Sequence, residues 1–276
     1  MAMEKRILVP VDFSSTSDKA LAFAFDLARR THAQLHVLHV VHLPMMDAAG
    51  PLGYAADAYK EMREKAEAEL AEREEKYKDR GVNWVSELAD GFVAEEVVHR
   101  AEELQPTFLV LGTTGATGFI AQVMGTNAAH IVRKVKAPVI LIPEQWEGGP
   151  IKDMVYAAML EDSEIPFLSQ AIAFAQTYDA HLSLLKVNAS LQLNQTEDEP
   201  LINEIRAKFG EQNPALLHMK ADSAAEGLED FMEFHPVDAL VLVSRRLNLF
   251  DRIFESSTTR RLTMQTRIPL LIMHRD

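Results

Sequence analysis

One segment, Phe108 to Pro143, constrains the fold more than any other part of the chain. It begins with a short apolar run, continues through a glycine-containing stretch and a helix-like segment, and ends in a second apolar run, Val139 to Ile142. Short apolar runs of this kind are typical of strands that are buried on both faces of a parallel sheet. The order therefore predicts a strand, a glycine loop, a helix N-terminus and a second strand.

Three glycines punctuate this segment, at Gly112, Gly115 and Gly125, and Thr126 and Asn127 follow the last of them. Because glycine has no Cβ and adopts positive φ, backbone amides at these points can approach an anion closely. Thr126 and Asn127 are good N-cap types, and a helix N-terminus offers free N–H groups that suit a phosphate. The alternative is that the glycines only form tight turns.

No charged side chain lies between Gly112 and Asn127. A phosphate bound there would be neutralised by backbone amides, hydroxyls and a divalent cation rather than by a lysine. The Walker pattern GxxxxGK[ST] and the dinucleotide fingerprint GxGxxG are both absent, since the spacing is G-x2-G-x9-G-T. That spacing resembles the nucleotide-binding motif of the universal stress protein family.

The resemblance implies an α/β fold with a doubly wound five-stranded parallel sheet in the order 3-2-1-4-5, and a site for ATP with Mg²⁺ held through the phosphates. In the family, an aspartate after the first strand contacts the adenosine and a valine at the end of the second strand lines the adenine; Asp12 and Val40 stand at these positions. Without the resemblance, Asp12 could equally cap the following helix. The nucleotide-binding residues predicted in this way are Val11, Asp12, Val40, Gly112, Thr113, Gly115, Met124, Gly125, Thr126 and Asn127.

The first 42 residues read as a βαβ unit. Apolar runs at Arg6 to Val11 and Leu35 to Val41 flank a helix that we expect to begin with a capping box formed by Ser15 and Asp18. The right-handed crossover places the two strands parallel. Asp12 then lies at the carboxyl edge of the sheet, where open α/β sheets bind ligands.

The remaining elements of the first half follow the same alternation. Pro44 to Tyr59 is interpreted as a loop that could cover a ligand, and Lys60 to Arg80 as a charged outer helix. A third strand is expected over Val82 to Leu88 and a third helix over Val93 to Leu104. Strand order 3-2-1-4-5 would bring Asp12 beside Gly112 at the switch point of the sheet.

Three histidines on the second strand, His36, His39 and His42, invite a metal-site interpretation. Side chains alternate along a strand, so His39 faces away from the other two. We therefore expect packing or surface roles and no metal site.

The second half of the chain repeats the first after a short linker, Glu144 to Pro150. Ser169 to Tyr178 echoes Lys19 to Asp26, and Leu240 to Leu242 matches Leu109 to Leu111. The sequence thus predicts two tandem domains, residues 1–145 with an intact nucleotide motif and residues 150–276 with a degenerate one.

The degenerate motif is visible at a constant offset of 131 residues. Gly112, Gly115, Gly125 and Thr126 are replaced by Val243, Arg246, Ser256 and Ser257, and Asp12 by Met159 or Ser163. A Cβ at each glycine position blocks close backbone approach, so we expect one nucleotide site per chain. An alternative anion site would use the side chains of Arg245, Arg246, Arg252, Arg260 and Arg261.

The final strands of the two halves, Val139 to Ile142 and Leu270 to Met273, are apolar. In the family, fifth strands pair edge to edge in dimers, so the resemblance implies an intrachain pseudo-dimer and leaves a homodimer of the whole chain open.

Composition excludes several classes of function. A net charge of −13 argues against nucleic acid or an anionic membrane as the main partner. Zero cysteines exclude disulfides, thiolate metal sites and cysteine nucleophiles. No apolar stretch approaches the about 20 residues of a membrane span and no signal-peptide pattern is present, so a cytoplasmic location is the default expectation.

Three functions remain open at this point. The first is an ATP-binding stress-response protein that acts as a regulator or scaffold with no catalytic residue, because the proposed site holds one carboxylate and no evident nucleophile or arginine clamp. The second is an enzyme, either a slow ATP hydrolase or an adenylate-forming ligase, although Pro10 to Ser17 lacks the glycine-rich loop of such ligases. The third is an interaction module with a vestigial nucleotide site.

Overall fold

The computed structural model describes residues 4–42, 52–113, 126–160, 164–188, 195–210, 214–245 and 267–275. The chain divides into two compact units, Met1–Glu144 and Gln145–Asp276, which are called unit 1 and unit 2 below. Among the described residues, no helix combines the length and the apolar character that crossing a membrane requires.

Unit 1 is a doubly wound parallel sheet, as the sequence predicts. Its strands lie in the order β3-β2-β1-β4-β5, and each neighbouring pair is parallel. Helices α1 and α2 pack together on one face of the sheet and α3 and α4 on the other. The elements are β1 (Arg6–Pro10), α1 (Ser15–Thr31), β2 (Gln34–Val41), α2 (Leu52–Tyr77), β3 (Trp84–Asp90), α3 (Val93–Leu104), β4 (Phe108–Gly112), α4 (Thr126–Lys134) and β5 (Val139–Ile142).

The central strands of unit 1 are buried on both faces because helices cover both sides of the sheet. Ile7, Leu8 and Val9 of β1 have no exposed surface, and all four residues of β5 are equally buried. Their continuous apolar runs are the reason that the sequence identified these strands.

Helix α1 begins one residue earlier than expected, and the predicted capping box is wrong. The N-cap is Ser14, whose side chain accepts a hydrogen bond from the Ser17 N–H at 3.1 Å. Asp18 instead forms an ion pair with Arg73 of α2, at 2.7 Å between Oδ1 and Nε. Cap-type residues occupy every position from Ser14 to Asp18 around the start of this helix, so the sequence alone could not select the one that caps it.

Helix α2 is longer than expected, because it begins at Leu52 where the sequence suggested a loop that ends at Tyr59. Three alanines in the first turns are strong helix formers and outweigh Gly53. The rest of the proposed covering loop, residues 43–51, lies outside the described residues. Strand β3 is likewise two residues later than predicted, at Trp84–Asp90.

Unit 2 repeats the architecture of unit 1. Its strands lie in the order β10-β9-β6-β7-β8 and are parallel, which is again the order 3-2-1-4-5 counted within the unit. The elements are β6 (Asp153–Ala157), α5 (Ile165–Tyr178), β7 (His181–Asn188), α6 (Gln195–Phe209), β8 (Ala215–Lys220), α7 (Ala224–Phe234), β9 (Ala239–Arg245) and β10 (Leu270–Arg275).

Matching hydrogen bonds define which residues of the two units correspond. The bond from the Val11 N–H to the Leu38 carbonyl corresponds to the bond from Ala158 to Leu185, an offset of 147 residues. Left-handed residues end α1 and α5 at His32 and Asp179, with the same offset. The similar sequences of α1 and α5 are therefore displaced by one helical turn relative to the structural alignment of the two units. In that alignment the counterpart of Asp12 is Met159.

Candidate functional site

The candidate site of unit 1 lies at the carboxyl edge of the sheet, where β1 neighbours both β2 and β4. Connections from these strands leave in opposite directions, which opens a crevice at this switch point. Asp12 follows β1, Val40 lies near the end of β2, and Gly112 is the last residue of β4. The predicted strand order thus brings together the ends that carry these predicted residues.

Asp12 is exposed and does not cap the helix. Its Oδ1 accepts a hydrogen bond from the Ser14 N–H at 3.1 Å, and its own N–H donates to the Ser17 Oγ at 3.4 Å. These contacts hold the turn between β1 and α1. Since Ser14 caps α1, the capping alternative for Asp12 is wrong, and its role towards a ligand stays a prediction.

Val11 and Val40 are buried, with 4% and 7% of their surfaces exposed. His39 contacts Phe13 at the start of α1, so alternation along β2 places Val40 on the opposite face, the face that α3 and α4 cover. Val40 and the first turn of α4 therefore share one face at the carboxyl edge.

Gly112 has a packing role that the sequence did not indicate. A Cβ built on this residue would lie 3.0 Å from the Thr16 Cγ2 and 3.2 Å from the Thr16 backbone. A side chain at this position would therefore require the first turn of α1 to shift by a few tenths of an ångström. The φ of Gly112 is not in the left-handed region, so the close approach and not the turn requires glycine here.

Thr113 continues the pairing of β4 with β5, because its N–H donates to the Ile142 carbonyl at 3.0 Å. That amide is consequently engaged within the sheet, which leaves the Thr113 hydroxyl as the group that a ligand could use. The expectation that backbone amides at this point serve an anion does not hold for Thr113.

Helix α4 begins at Thr126, so Thr126 and Asn127 belong to its first turn rather than preceding it as N-caps. Both side chains are exposed, while Ala128, Ile131 and Val132 bury the opposite face of the helix. The free N–H groups and the positive end of the helix dipole lie at this terminus. Gly115, Met124 and Gly125 lie outside the described residues.

The chemistry of these groups suits an adenine nucleotide. Val40 supplies apolar surface, Asp12 a carboxylate that can accept hydrogen bonds from hydroxyls, and the start of α4 uncharged donors for phosphate. Among the described site residues there is neither a pairing of nucleophile with base nor a cationic side chain.

The three histidines of β2 have separate partners. His36 Nε2 lies 2.7 Å from Gln34 Oε1, His39 Nδ1 lies 2.7 Å from the Val11 carbonyl, and His42 Nδ1 lies 3.3 Å from the Gly91 carbonyl. Within the described parts of the chain, no cluster of three or more metal-binding side chains occurs.

Two of these histidines have pKa values below the ordinary value. Burial lowers the pKa of His36, and Arg6 and Arg100 lower it further, against an opposing effect of Glu4. Burial also lowers the pKa of His39, where the Val11 carbonyl and Asp12 act in the opposite direction and Arg73 adds to the decrease.

The sequence did not predict a network of contacts around Phe13, the residue that follows Asp12. Phe13 has a left-handed backbone with φ of 64°, and its ring stacks on His39 with centroids 4.2 Å apart. The Arg73 guanidinium lies over the same ring at 4.7 Å. Position-specific signals for this network are absent from the sequence, because α2 and β2 meet Phe13 only through the tertiary fold.

The corresponding turn of unit 2 is built differently. The Met159 N–H donates to both carboxylate oxygens of Glu164, at 3.2 and 3.1 Å, where unit 1 uses the Ser17 hydroxyl. Glu164 is buried and also lies 3.5 Å from the Tyr156 hydroxyl. Of the arginines suggested as an alternative anion site, Arg246, Arg252, Arg260 and Arg261 lie outside the described residues.

Comparisons with known proteins agree with this fold. The sequence profile of the Universal stress protein family matches residues 3–143. Universal stress protein MJ0531 of Methanocaldococcus jannaschii is 27% identical over 141 residues, which cover 50% of this chain and 81% of the relative. Universal stress protein Rv2623 of Mycobacterium tuberculosis is 32% identical over 139 residues, which cover 50% of this chain and 45% of the relative.

A solved structure extends the likeness to both units. A universal stress protein from Archaeoglobus fulgidus has a TM-score of 0.74 to this chain at 17% identity, and the match covers 98% of this chain and 96% of that one. At this identity the likeness concerns the fold alone. The fold and the carboxyl-edge crevice are those of a doubly wound α/β protein of the kind that binds ligands at its switch point. The chain belongs to the universal stress protein family, as its glycine spacing predicted.

Proposed function

We propose that unit 1 binds an adenine nucleotide, ATP with Mg²⁺, and that the protein acts as a nucleotide-dependent regulator or scaffold in the stress response. The observation that carries this proposal is the convergence of Asp12, Val40 and the first turn of α4 at one edge of the sheet, beside the β1–β4 switch point. Each of these groups suits one part of a nucleotide: Val40 the base, Asp12 the nucleoside hydroxyls and the first turn of α4 the phosphates.

The roles of the residues follow from their chemistry. Val40 packs against the base, the Asp12 carboxylate accepts hydrogen bonds from the nucleoside, and the exposed Thr126 and Asn127 at the start of α4 hold phosphate oxygens. The Thr113 hydroxyl is a further donor. The Mg²⁺ ion, held through the phosphates, supplies the positive charge that the described site residues lack.

We infer a regulatory rather than a catalytic role because the described residues supply no base that is paired with a nucleophile and no cation for the charge that develops in phosphoryl transfer. Asp12 is the one carboxylate among the proposed site residues, and the proposal assigns it to the nucleoside. The protein then changes state with its bound nucleotide instead of turning it over.

We further infer that the two units are two copies of one domain, residues 1–145 and 150–276, of which only the first binds nucleotide. Met159, which is 49% exposed, replaces the carboxylate of Asp12, and Val243 replaces Gly112. The Met159 thioether is only a weak hydrogen-bond acceptor, and Val243 places a branched side chain where Gly112 has none.

Calorimetric titration of the whole chain with ATP and Mg²⁺ tests the proposal. We expect one nucleotide per chain, and Asp12→Ala to weaken binding about 10- to 100-fold, because a hydrogen bond to a charged group contributes about 1.5–3 kcal/mol. Met159→Ala is the matched control in unit 2 and should leave the affinity unchanged. No heat of binding, or equal affinity in the Asp12→Ala variant, contradicts the site. Phosphate release well above background would favour the hydrolase alternative.

A further inference from the structure

The turn that carries Asp12 has a backbone that its sequence does not favour. Phe13 adopts φ of 64°, a left-handed conformation that costs free energy for a residue with a Cβ. Leu160, the corresponding residue of unit 2, adopts φ of 59°. The conformation therefore belongs to the turn itself in both units, and contacts elsewhere must hold it in place.

In unit 1, aromatic contacts fix the Phe13 side chain in addition to the hydrogen bonds that Asp12 makes within the turn. The rings of Phe13 and His39 are stacked, with an angle of 18° between their planes and centroids 4.2 Å apart. The Arg73 guanidinium carbon lies 4.7 Å from the centroid of the Phe13 ring, within the range of a cation–π contact. Phe13 is thus fixed by side chains from two different elements, β2 and α2.

His39 also fixes the residue on the other side of Asp12. Its Nδ1 lies 2.7 Å from the Val11 carbonyl oxygen, so Nδ1 carries the proton and donates it. The Val11 N–H donates in turn to the Leu38 carbonyl at 2.8 Å. Both polar backbone groups of Val11 are therefore engaged with β2, and Asp12 lies between two immobilised neighbours.

Arg73 is itself held in place, so the network is rigid at its outer end. Its side chain is 12% exposed and pairs with Asp18 at 2.7 Å and with Glu69 at 2.6 Å. Asp18 lies in the first turn of α1, directly after the turn that contains Asp12. The network consequently joins α2, α1 and β2 around one short segment of backbone.

We infer that Phe13 and His39 are positioning residues for nucleotide binding, which fix the direction of the Asp12 carboxylate without touching the ligand. This inference rests on the proposed function of Asp12. Unit 2, where Leu160 and Lys186 occupy the two positions, carries no ring at either, and its turn presents Met159 instead of a carboxylate. A preorganised carboxylate binds more tightly than a mobile one, because its orientational freedom is not lost on binding.

A double-mutant cycle between Phe13→Leu and Asp12→Asn tests this inference. Phe13→Leu introduces the residue that unit 2 accommodates in the same backbone conformation, so the turn itself is retained. We expect Phe13→Leu to weaken ATP binding about tenfold when Asp12 is present and to have no effect in the Asp12→Asn background. A purely structural role for Phe13 would lower the affinity equally in both backgrounds, and that result overturns the inference.

A variant of His39 tests the same inference without changing Phe13. His39→Phe retains a ring against Phe13 and removes the donor to Val11, so a loss of affinity that again depends on Asp12 supports the inference. Unchanged ATP affinity in both single variants contradicts it. Absence of ATP binding by the wild-type chain is a different result, because it refutes the proposed function itself rather than the positioning role alone.

Discussion

The turns that follow the first strand of each unit share one backbone conformation and differ in the side chains that accept their hydrogen bonds. Phe13 and Leu160 share a left-handed conformation. Val11 and Ala158, the last residues before Asp12 and Met159, make equivalent hydrogen bonds to the second strand. The next amide finds a neutral hydroxyl, Ser17, in unit 1 and a buried carboxylate, Glu164, in unit 2. The fold therefore determines the path of the turn, and the side chains determine what it can bind.

The carboxylate of unit 2 changes the electrostatics of its crevice. Glu164 is 6% exposed, and together with burial its proximity raises the pKa of the Tyr156 hydroxyl far above the ordinary value, so that Tyr156 remains protonated. Unit 1 has the reverse arrangement, with a neutral acceptor inside and the carboxylate of Asp12 exposed. The proposal of a single site in unit 1 therefore rests on side-chain substitutions within a fold that both units share.

The largest expected effect is at the glycines of unit 1. Gly115→Val or Gly125→Val should abolish measurable ATP binding, a loss on the order of 100-fold or more, because a branched side chain blocks close approach to the phosphates. Calorimetry measures the affinity and far-ultraviolet circular dichroism confirms the fold. Wild-type affinity in both variants would contradict the assignment of the motif.

Two further variants serve as controls for that result. Gly112→Ala should lower the stability of unit 1, because its Cβ would meet the Thr16 backbone at 3.2 Å, and adding Thr16→Ser, which removes Cγ2, should restore part of the loss. In unit 2, Val243→Gly combined with Arg246→Gly should not create a second ATP site, since Met159 still replaces the carboxylate of Asp12.

The second prediction compares the two acceptors. Glu164→Ala leaves the Met159 N–H without its acceptor and should lower the free energy of unfolding of unit 2 by about 1–3 kcal/mol, whereas Ser17→Ala should cost unit 1 about 1 kcal/mol. The difference is expected because Glu164 accepts with both oxygens at close to 3.1 Å, while the Asp12 N–H lies 3.4 Å from Ser17.

The tryptophans allow each unit to be followed separately in urea. Trp84 lies in unit 1 and Trp146 in unit 2, and the chain has two tryptophans in all. A Trp84→Phe background reports unit 2 through Trp146, and a Trp146→Phe background reports unit 1 through Trp84. Equal losses for Glu164→Ala and Ser17→Ala would show that the buried carboxylate contributes nothing beyond the neutral hydroxyl.

The smallest expected effect is on the pH dependence of unit 1. Burial lowers the pKa values of His36 and His39 in the folded state, so between those values and the unfolded value of about 6.5 the unfolded chain binds more protons. The free energy of unfolding of unit 1 should therefore fall as the pH drops below about 6.5, and this decrease should end once the pH is below the folded pKa values. His36→Gln combined with His39→Gln should flatten this slope in urea titrations of the Trp146→Phe background. An unchanged slope would assign the pH dependence to other groups.

Much of the fold was predictable because its signals are local. Helix α3 was predicted at Val93–Leu104, where the structure has it, and β5 at Val139–Ile142. Continuous apolar runs identify buried parallel strands without any knowledge of the tertiary structure. The start of α2 was wrong because an alanine-rich segment beside glycine and proline satisfies loop and helix signals equally well, and the helix propensity of the alanines prevails.

The sequence predicted which described candidate residues lie at one edge of the sheet, but it did not predict their packing contacts. Asp12 and Val40 were placed by their positions at strand ends, which the parallel topology brings to one edge. The packing role of Gly112 depends on how closely Thr16 approaches, and the role of Phe13 depends on Arg73. Such distances are set by how α1 and α2 lie against the sheet, and no pattern in the sequence carries them.

The crossover helix between the second and third strands differs in length between the two units. Helix α2 has 26 residues, whereas its counterpart α6 has 15, although the strands on either side keep equivalent pairings. The connection between the second and third strands thus tolerates gain or loss of several helical turns without disturbing the sheet. Counted back from the third strand, α6 corresponds to the C-terminal part of α2, and this shared part contains Arg73, so the additional turns of α2 can lengthen or shorten without displacing the residue that contacts Phe13.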